Sequence, residues 1–429
     1  MREITVWRAL LGIEDTVVER VEFEQGQVVA HVRPAARERG RCGLCRRRSP
    51  SYDGGQGRRR WRTLDSGTRK VFLEADASRV SCRVHGVIVA AVPWARHGAG
   101  HTRVFDQQVA WLATQTSKSA TTELMRIAWR TVGAIIARVW QDVEGCTDRL
   151  AGVTRIGIDE ISYKRGHKYL SVVVDHDSGR LLWAAPGRDR ATLNRFFEVL
   201  EASGPGRCAQ ISHVSADGAD WIEDVVAQRC PNAVRCADPF HIVKWATDAL
   251  DAVRRAAWND ARRAGHTKPD GQANGTASRT STGLAEKLKH SRMALWKNPQ
   301  NLTERQQAKL DWIAKNDPRL YQGYLLKEGL RLVFQLPAHE ASYALDTWLA
   351  WARESGIPAF VTLRTRVLRQ RAKILAAIEH GLSNGRIESV NTKIRLITRI
   401  AFGFASPQAL IALAMLNLGG HKPTLPGRT

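Results

Sequence analysis

The pattern between residues 153 and 236 constrains the fold more than any other stretch of the chain. Short apolar strand-like runs and amphipathic helical runs follow one another there in the order β-β-β-α-β-α-β. In chain order the runs are 153–161, 168–175, 180–185, 192–200, 211–215, 221–229 and 233–236. Because the first three are joined by short links, we expect them to form an antiparallel meander.

This order is that of the RNase H-like fold, and it determines where acidic side chains can meet. Asp159 ends the apolar part of the first strand, and Asp217 directly follows the fourth. Glu388 lies in a third segment, 386–400, whose apolar residues recur at helical spacing. Three carboxylates gathered by a fold can hold two divalent cations, and two such cations support phosphoryl transfer on DNA.

We therefore predict Asp159, Asp217 and Glu388 as catalytic residues and as ligands of two Mg²⁺ or Mn²⁺ ions. Asp159 is expected to bridge both ions, because a central strand holds its carboxylate rigidly. Asp217 would complete one ion and Glu388 the other. Asp238, which is followed by His241, is the alternative ligand.

The helix predicted over 386–400 has two different faces. Its apolar face can pack on the sheet and carries Ile387, Val390, Ile394 and Ile397. Its polar face carries Glu388, Asn391, Thr392, Arg395 and Arg399. We predict that Lys393 and Arg395 contact DNA beside the acid.

Two Cys/His pairs in the N-terminal part have the spacing of zinc ligands. Cys42 and Cys45 are separated by two residues, and so are Cys82 and His85. This spacing lets both members of a pair bind one tetrahedral ion, so we predict one structural Zn²⁺. Asp76 or water would be the weaker choice for the fourth ligand. We also predict that a basic loop between the pairs contacts DNA, through Arg58, Arg59, Arg60, Trp61 and Arg62.

Residues 105–143 have the pattern of three short helices, with a helix N-cap near Ser117 and a break near Trp129. This arrangement is typical of a helix-turn-helix, in which Arg126, Arg130 and Arg138 would contact phosphates or bases. The alternative is a plain helical bundle that joins two domains.

The rest of the chain divides into a β-rich start and a helical second half. Strand-like alternation at 3–7, 17–23 and 28–32 predicts a small β-structure, with a hairpin turn at 24–27. In the second half, helical patterns are separated by one polar linker. The helices are expected over 240–261, 284–381 and 409–418, and the linker over 265–283.

The net charge of +23, from 65 Lys and Arg against 42 Asp and Glu, favours a polyanionic partner. We predict double-stranded DNA as that partner. No run of about 18 apolar residues is present, so no membrane span is expected. The N-terminus has no signal-peptide pattern, so we expect a cytoplasmic protein with reduced cysteines.

Taken together, these motifs resemble the ISL-three family of bacterial insertion-sequence transposases. The resemblance rests on the two Cys/His pairs, the Arg-Arg-Trp-Arg segment and four acidic motifs. The four motifs are Gly157–Glu160, Ser215–Gly218, Asp238–His241 and Asn384–Asn391. The resemblance implies an Asp-Asp-Glu triad at Asp159, Asp217 and Glu388, and binding to terminal inverted repeats and target DNA.

The expected architecture is an α/β multidomain protein. It has an RNase H-like catalytic core interrupted by an all-α insertion, and N-terminal zinc-finger and helix-turn-helix DNA-binding modules. The domains are expected at 1–100 (zinc), 101–147 (helix-turn-helix), 148–262 (core), 263–381 (insertion) and 382–429 (rest of the core). We expect a homodimer or higher oligomer on DNA. The alternative functions are a transposase-derived DNA-binding regulator and a nuclease without strand transfer.

Overall fold

The computed structural model describes residues 3–266, 285–404 and 406–428. The linker predicted over 265–283 therefore lies almost wholly outside the described residues. Within the described ranges, no helix combines the length and the apolar character that crossing a bilayer requires.

The chain folds as two compact units. Residues 1–147 and 396–429 form the first unit, and residues 148–395 form the second. The first unit contains helices α1 (Glu3–Leu11), α2 (Arg103–Gln115), α3 (Lys118–Met125), α4 (Trp129–Cys146) and a final helix (Pro407–Leu418). Its strands are β1 (Thr16–Glu24), β2 (Gln27–Pro34), β3 (Ser51–Asp53), β4 (Arg58–Arg62), β5 (Val71–Asp76), β6 (Arg79–Cys82) and β7 (Gly86–Val89).

The first predicted strand is wrong, because residues 3–7 belong to helix α1. Trp7 and Leu11 lie one helical turn apart and are both half-buried. The Trp7 ring lies 6.3 Å from the ring of Phe23 on β1. A run of five residues is too short to separate a period of 2 from a period of 3.6, so the alternation was ambiguous.

The predicted hairpin between β1 and β2 is confirmed. Glu24 pairs with Gln27, and the two residues between them have left-handed φ values of 46° at Gln25 and 78° at Gly26. These values suit the tight turn that matches the twist of a hairpin. The sheet continues in the order β1-β2-β5-β4, and β3, β6 and β7 form a second, small sheet.

The three helices predicted after the sheets are confirmed as α2, α3 and α4. Thr102 caps α2 by accepting from the Phe105 amide, and Ser117 caps α3 by accepting from the Ala120 amide. Arg126 ends α3 in the left-handed conformation, with φ 52°. The final helix (Pro407–Leu418) packs on α2 and α4 and completes this helical group.

The second unit is built on a five-stranded sheet in the order β10-β9-β8-β11-β12. The strands are β8 (Arg155–Lys164), β9 (Lys168–Asp175), β10 (Leu181–Pro186), β11 (His213–Ala216) and β12 (Val234–Ala237). The first three are antiparallel, as predicted, whereas β11 is parallel to both β8 and β12. Helices α5 (Arg190–Ser203), α6 (Arg207–Gln210) and α7 (Asp220–Arg229) connect the strands, and Phe196, Phe197 and Ile222 fill the core.

A group of helices follows the sheet, as predicted for the described residues. Helix α8 (Pro239–His266) shares one hydrophobic core with the helices that come later in the chain. Those helices are Arg292–Trp296, Glu304–Asn316, Pro318–Val333, Ala338–Glu354, Pro358–Arg369 and Arg371–Glu379.

The chain then returns to the sheet through a helix that we call the Glu388 helix (Gly385–Ile400). Ile387 on this helix lies directly over Gly157 of β8. A Cβ atom on Gly157 would be 2.1 Å from Ile387 Cδ1, so any larger residue would require Ile387 to shift. The contact brings the helix against the central strand.

Candidate functional site

Asp159 lies in the middle of β8 and not at its end. The strand continues to Lys164, three residues beyond the predicted run over 153–161, and Asp159 pairs with Val172 of β9. The Asp159 carboxylate is half-buried and accepts two hydrogen bonds. Oδ1 accepts from the Glu160 amide at 2.7 Å, and Oδ2 accepts from Asn391 Nδ2 at 2.7 Å.

Asp217 directly follows β11, as predicted. Because Ser215 pairs with Gly157 in a parallel register, Asp217 and Asp159 each lie two residues further along neighbouring strands. Side chains two residues apart on a strand point to the same face, so the sheet brings both acids to one place. Burial and the repulsion from Asp217 both raise the pKa of Asp159 and of Glu160.

Asp238 follows the adjacent strand β12 and is almost fully buried. Both of its carboxylate oxygens have partners. Oδ1 accepts from the Phe240 amide at 3.1 Å, and Oδ2 lies 2.6 Å from His241 Nδ1. This hydrogen bond raises the pKa of His241, since the neighbouring carboxylate stabilises the imidazolium.

Glu388 lies in the first turn of its helix, and its side chain is exposed. It is three residues before Asn391, so both share one helix face, and Asn391 contacts Asp159. The carboxylate of Glu388 has no hydrogen bond or ion pair among the described residues. The carboxylate oxygens of Asp159, Asp217 and Glu388 do not all lie within 4.8 Å of one another, as the ligands of a single ion would.

Burial and mutual repulsion disfavour the negative charges of the carboxylates around Asp159. Burial raises the pKa of Asp159, and the nearby Asp217 and Asp238 raise it further. Burial and the charge of Asp217 raise the pKa of Glu160 to about 7, although Arg188 Nε lies 3.2 Å from Glu160. A divalent cation would relieve this repulsion, so the chemistry of the donor set fits such an ion.

Two asparagines of the site were not predicted as contacts. Asn391 was assigned to the polar face of its helix, but its side chain is 2% exposed and donates to Asp159. Asn384, directly before the helix, accepts from the Ser215 hydroxyl at 2.5 Å. Helical spacing specifies which side chains share a face but not what that face meets, so the sequence carried no direct signal for either contact.

The four predicted zinc ligands come together in the first unit. Their ligand atoms all lie within 4.8 Å of one another. Cys42 Sγ is 3.5 Å from His85 Nδ1, and Cys82 Sγ is 3.7 Å from both Cys45 Sγ and His85 Nδ1. Zn–S bonds of about 2.3 Å and Zn–N bonds of about 2.0 Å place tetrahedral ligands about 3.5–3.8 Å apart, so the donor set fits zinc.

Local structure explains this convergence. Cys82 ends β6, and Cys82 to Gly86 form the turn into β7, with Gly86 at φ 67°. Backbone hydrogen bonds from Val84 and His85 are the largest causes that lower the pKa of Cys82, to about 6. The turn therefore favours the thiolate that a metal requires.

The predicted basic loop at 58–62 is instead strand β4, and alternate residues face opposite sides. Trp61 and Arg62 lie in the interior, 2% and 6% exposed, and Trp61 packs edge-on against Trp94 at 5.5 Å. A run of arginines suggested a surface loop, but both faces of the strand are covered at its end, where the Arg62 guanidinium lies over the rings of Phe72 and Phe105. Trp61 and Arg62 are therefore not on the surface that DNA could reach.

The remaining arginines of β4 pair with protein groups. Arg58 lies 2.8 Å from Glu74, and Arg60 lies 2.6 Å from Glu74 and 2.8 Å from Glu24. Arg59 donates to the Ala99 carbonyl at 2.8 Å.

The three arginines predicted for the helix-turn-helix also differ in whether they pair with protein groups. Arg138 lies 3.3 Å from the buried Asp106, and Arg126 pairs with Asp65. Arg130 is exposed and has no hydrogen bond or ion pair with any described residue. Lys393 and Arg395 are exposed on the Glu388 helix.

Comparison with known families covers most of the chain. Residues 156–414 match the family model described as a transposase, of the ISL3 group. Residues 90–140 match the helix-turn-helix domain of transposase family ISL3. Residues 38–85 match the zinc-finger of transposase IS204/IS1001/IS1096/IS1165.

Similar proteins are transposases. The chain is 61% identical over 439 aligned positions to the transposase for insertion sequence element IS1557 of Mycobacterium tuberculosis, covering 100% of this chain and 98% of that protein. It is 28% identical to the transposase for IS1001 of Bordetella parapertussis, covering 81% of each.

One solved structure, a chain of the Drosophila P element transposase strand transfer complex, aligns at 8% identity over 75% of this chain and 92% of that chain. Its TM-score of 0.35 is too low to establish a shared fold. The resemblance found from the sequence motifs is confirmed by the family models and by the 61% identity over the full length. The chain belongs to the ISL3 family of transposases.

Proposed function

We propose that the chain is the transposase of an insertion sequence. It binds the terminal inverted repeats of its element, cuts DNA there and joins the freed ends to target DNA in a metal-dependent reaction. The observation that carries this proposal is the juxtaposition of Asp159 and Asp217 on neighbouring parallel strands, with the Glu388 helix hydrogen-bonded to Asp159 through Asn391. The family of the chain supports it.

The five-stranded sheet and the Glu388 helix would form an RNase H-like core. The order of elements along the chain supports this assignment, since β8, β9, β10, α5, β11, α7 and β12 follow the β-β-β-α-β-α-β order expected from the sequence, with only the short α6 added. The helices between the second and third acids would be an all-α insertion. The domain boundaries we propose remain 1–100, 101–147, 148–262, 263–381 and 382–429.

Asp159, Asp217 and Glu388 would hold two Mg²⁺ or Mn²⁺ ions. When bound, two such ions activate a water or a 3′-hydroxyl and stabilise the leaving oxygen. Two ions need a wider site than one ion does. Three acids whose oxygens do not all lie within 4.8 Å of one another are therefore compatible with a two-ion site. Asp238 stays the alternative ligand, but its two oxygens are already engaged.

The residues of the chain contribute orientation and charge. Asn391 donates to Asp159 Oδ2 and so directs Oδ1 and its remaining lone pairs. In the first unit, Cys42, Cys45, Cys82 and His85 would hold one structural zinc, which stabilises a small sheet with little hydrophobic core of its own.

DNA would be bound by basic residues in both units. Arg130, Lys393 and Arg395 are exposed and unpaired among the described residues, which favours them for direct contact. Arg58, Arg59, Arg60, Arg126 and Arg138 already have protein partners and would act by exchanging or extending those contacts. We propose that a homodimer or larger assembly forms on the DNA, in the bacterial cytoplasm at the nucleoid.

The proposal is tested with a duplex that carries the element's ends and a second duplex as target. We expect cutting at the ends and joined products only with Mg²⁺ or Mn²⁺. Cutting without joining would identify a nuclease without strand transfer. Specific binding without cutting would identify a DNA-binding regulator, and the proposed function would be wrong.

A further inference from the structure

Three buried polar side chains outside the carboxylate cluster form a hydrogen-bonded chain in the second unit. His176 Nε2 lies 2.7 Å from Ser215 Oγ, which in turn donates to Asn384 Oδ1 at 2.5 Å. The three residues are 3%, 0% and 4% exposed. Buried polar groups are costly unless they are paired, so this chain constrains every element that it joins.

The hydrogen bonds run in one direction. A serine hydroxyl has a single proton, and Ser215 gives it to Asn384, so Ser215 must accept from His176. Burial lowers the pKa of His176 to about 4, which keeps the ring neutral near pH 7. His176 is therefore the tautomer that carries its proton on Nε2.

The hydrogen bonds from His176 through Ser215 to Asn384 connect the segments that carry two of the acids. Ser215 lies on β11, two residues before Asp217. Asn384 directly precedes the Glu388 helix, and its carbonyl accepts from the Glu388 amide at 2.7 Å. The Ser215–Asn384 hydrogen bond thus joins the strand that ends at Asp217 to the helix turn that holds Glu388.

His176 adds a second attachment to the same helix. Arg386, in the first turn, donates to the His176 carbonyl and, at 2.9 Å, to the Asp177 carbonyl. His176 directly follows β9, so the helix start is tied to two strands of the sheet at once. Asn391, further along the helix, is hydrogen-bonded to a third.

We propose that His176, Ser215 and Asn384 form a positioning clamp that sets the location of Glu388 relative to Asp217. The inference rests on the proposed function, in which these acids belong to one metal site. The clamp is needed because Glu388 is exposed and its carboxylate has no hydrogen bond or ion pair among the described residues that would hold it in place. Outer-sphere partners of this kind typically contribute about 10–100-fold to metal affinity.

Ser215→Ala in the full chain removes the central hydroxyl and leaves the side chains of His176 and Asn384 unpaired. We expect the affinity of the free protein for Mn²⁺, measured calorimetrically, to fall about tenfold. The Mg²⁺ concentration for half-maximal cutting should rise by a similar factor, while binding to terminal-repeat DNA stays unchanged.

Ser171→Ala is the matched control. Ser171 is a fully buried serine of the same sheet, but its hydroxyl donates to the Gly187 carbonyl at 3.0 Å and not to the segment that begins the Glu388 helix. Its loss should lower thermal stability to a similar degree without changing Mn²⁺ affinity. An equal affinity for Mn²⁺ in Ser215→Ala, Ser171→Ala and the wild type would overturn the clamp.

Asn384→Ala keeps the test decisive if Ser215→Ala folds poorly, because it breaks the same hydrogen bond from the segment that precedes the Glu388 helix. It should weaken Mn²⁺ binding as Ser215→Ala does, and the double variant should be no worse than either single one. Strictly additive losses would contradict the clamp. A wild-type chain that neither binds Mn²⁺ nor cuts DNA would contradict the proposed function itself.

Discussion

Glu160 is an acid in surroundings that disfavour its negative charge. Its side chain is 6% exposed, and burial, followed by the charge of Asp217, raises its pKa to about 7. Because folding raises this pKa, the protonated carboxyl contributes stability that is fully present below its ordinary pKa of 4.5. That contribution is lost as the pH rises through about 7.

Glu160→Gln should therefore become more stable relative to the wild type as the pH rises from 4.5 to 7.5. The relative gain should be on the order of 2–3 kcal/mol, since each unit of pKa shift corresponds to about 1.4 kcal/mol. Urea unfolding in Mg²⁺-free buffer at several pH values measures it. Glu379→Gln, at an exposed position, corrects for the loss of a negative charge alone. A stability difference that does not change with pH would contradict this account of Glu160.

Spacing predicted some site residues well and others not at all. The Cys-x-x-Cys and Cys-x-x-His pairs could be read directly, because ligand spacing follows from the geometry of a single ion. Trp61 was wrongly assigned to an exposed loop, because its arginine neighbours suggested a surface segment, whereas it is buried in β4. The contact between Asn391 and Asp159 depends on the tertiary position of a helix, which no local pattern contains.

At the scale of elements, the close approach between the Glu388 helix and β8 depends on the absent side chain of Gly157. A Cβ there would overlap Ile387 Cδ1 at 2.1 Å and would lie 3.0 Å from His176 Nε2. Gly157→Ala should displace the helix, destabilise the second unit by about 1–3 kcal/mol and reduce cutting. Thermal unfolding and the cleavage assay measure the two effects.

Ile387→Ala should partly restore stability in the Gly157→Ala background, although it is destabilising on its own, because it removes the overlapping atoms. Gly145→Ala is the control, since a Cβ there meets no atom within 4 Å. If the double variant is simply the sum of the two single ones, the overlap is not the cause.

The zinc module contains the small sheet of β3, β6 and β7, whose strands bury only Val80 and Cys82. Cys42→Ser or Cys82→Ser should unfold it, because the metal contributes the folding free energy of such a site. Elemental analysis should give about one zinc per wild-type chain. Limited proteolysis should cut the variants within the first unit, and zinc-free protein that resists proteolysis equally would contradict the assignment.

Element types were largely predictable wherever the hydrophobic period ran for a full element. The meander, the three helices after the small sheets and the Glu388 helix are confirmed in the structure. Helix α1 was not predictable, since its five-residue run fits both periods. The pairing of β2 with β5 in parallel was also beyond the sequence, because non-local pairing leaves no local signal.

At the scale of the whole molecule, DNA affinity and chemistry should be separable. Affinity for terminal-repeat DNA should fall steeply with salt, since basic side chains release counterions from phosphates. Arg130→Gln should weaken binding or alter its sequence preference without lowering stability, because Arg130 has no partner among the described residues. Arg138→Gln should instead lower stability, since it leaves the buried Asp106 with less compensation.

Fluorescence anisotropy on repeat and random duplexes, together with thermal unfolding, distinguishes the two variants. Equal effects of both on stability and on binding would contradict the different roles that their contacts indicate. A fragment ending near residue 147 is a poor substitute for the full chain in this test, because the final helix (Pro407–Leu418) packs on α2 and α4.

The central claim is that Asp159, Asp217 and Glu388 form one catalytic site, and Mg²⁺-dependent cutting of terminal-repeat DNA by single variants tests it most directly. Asp159→Asn, Asp217→Asn and Glu388→Gln should each abolish cutting and leave DNA binding nearly intact, because the acids act in the chemical step. Asp220→Asn, three residues after Asp217 and exposed, should cut as the wild type does. Full Mg²⁺-dependent cutting by Asp217→Asn would contradict the triad and make Asp238 the second acid.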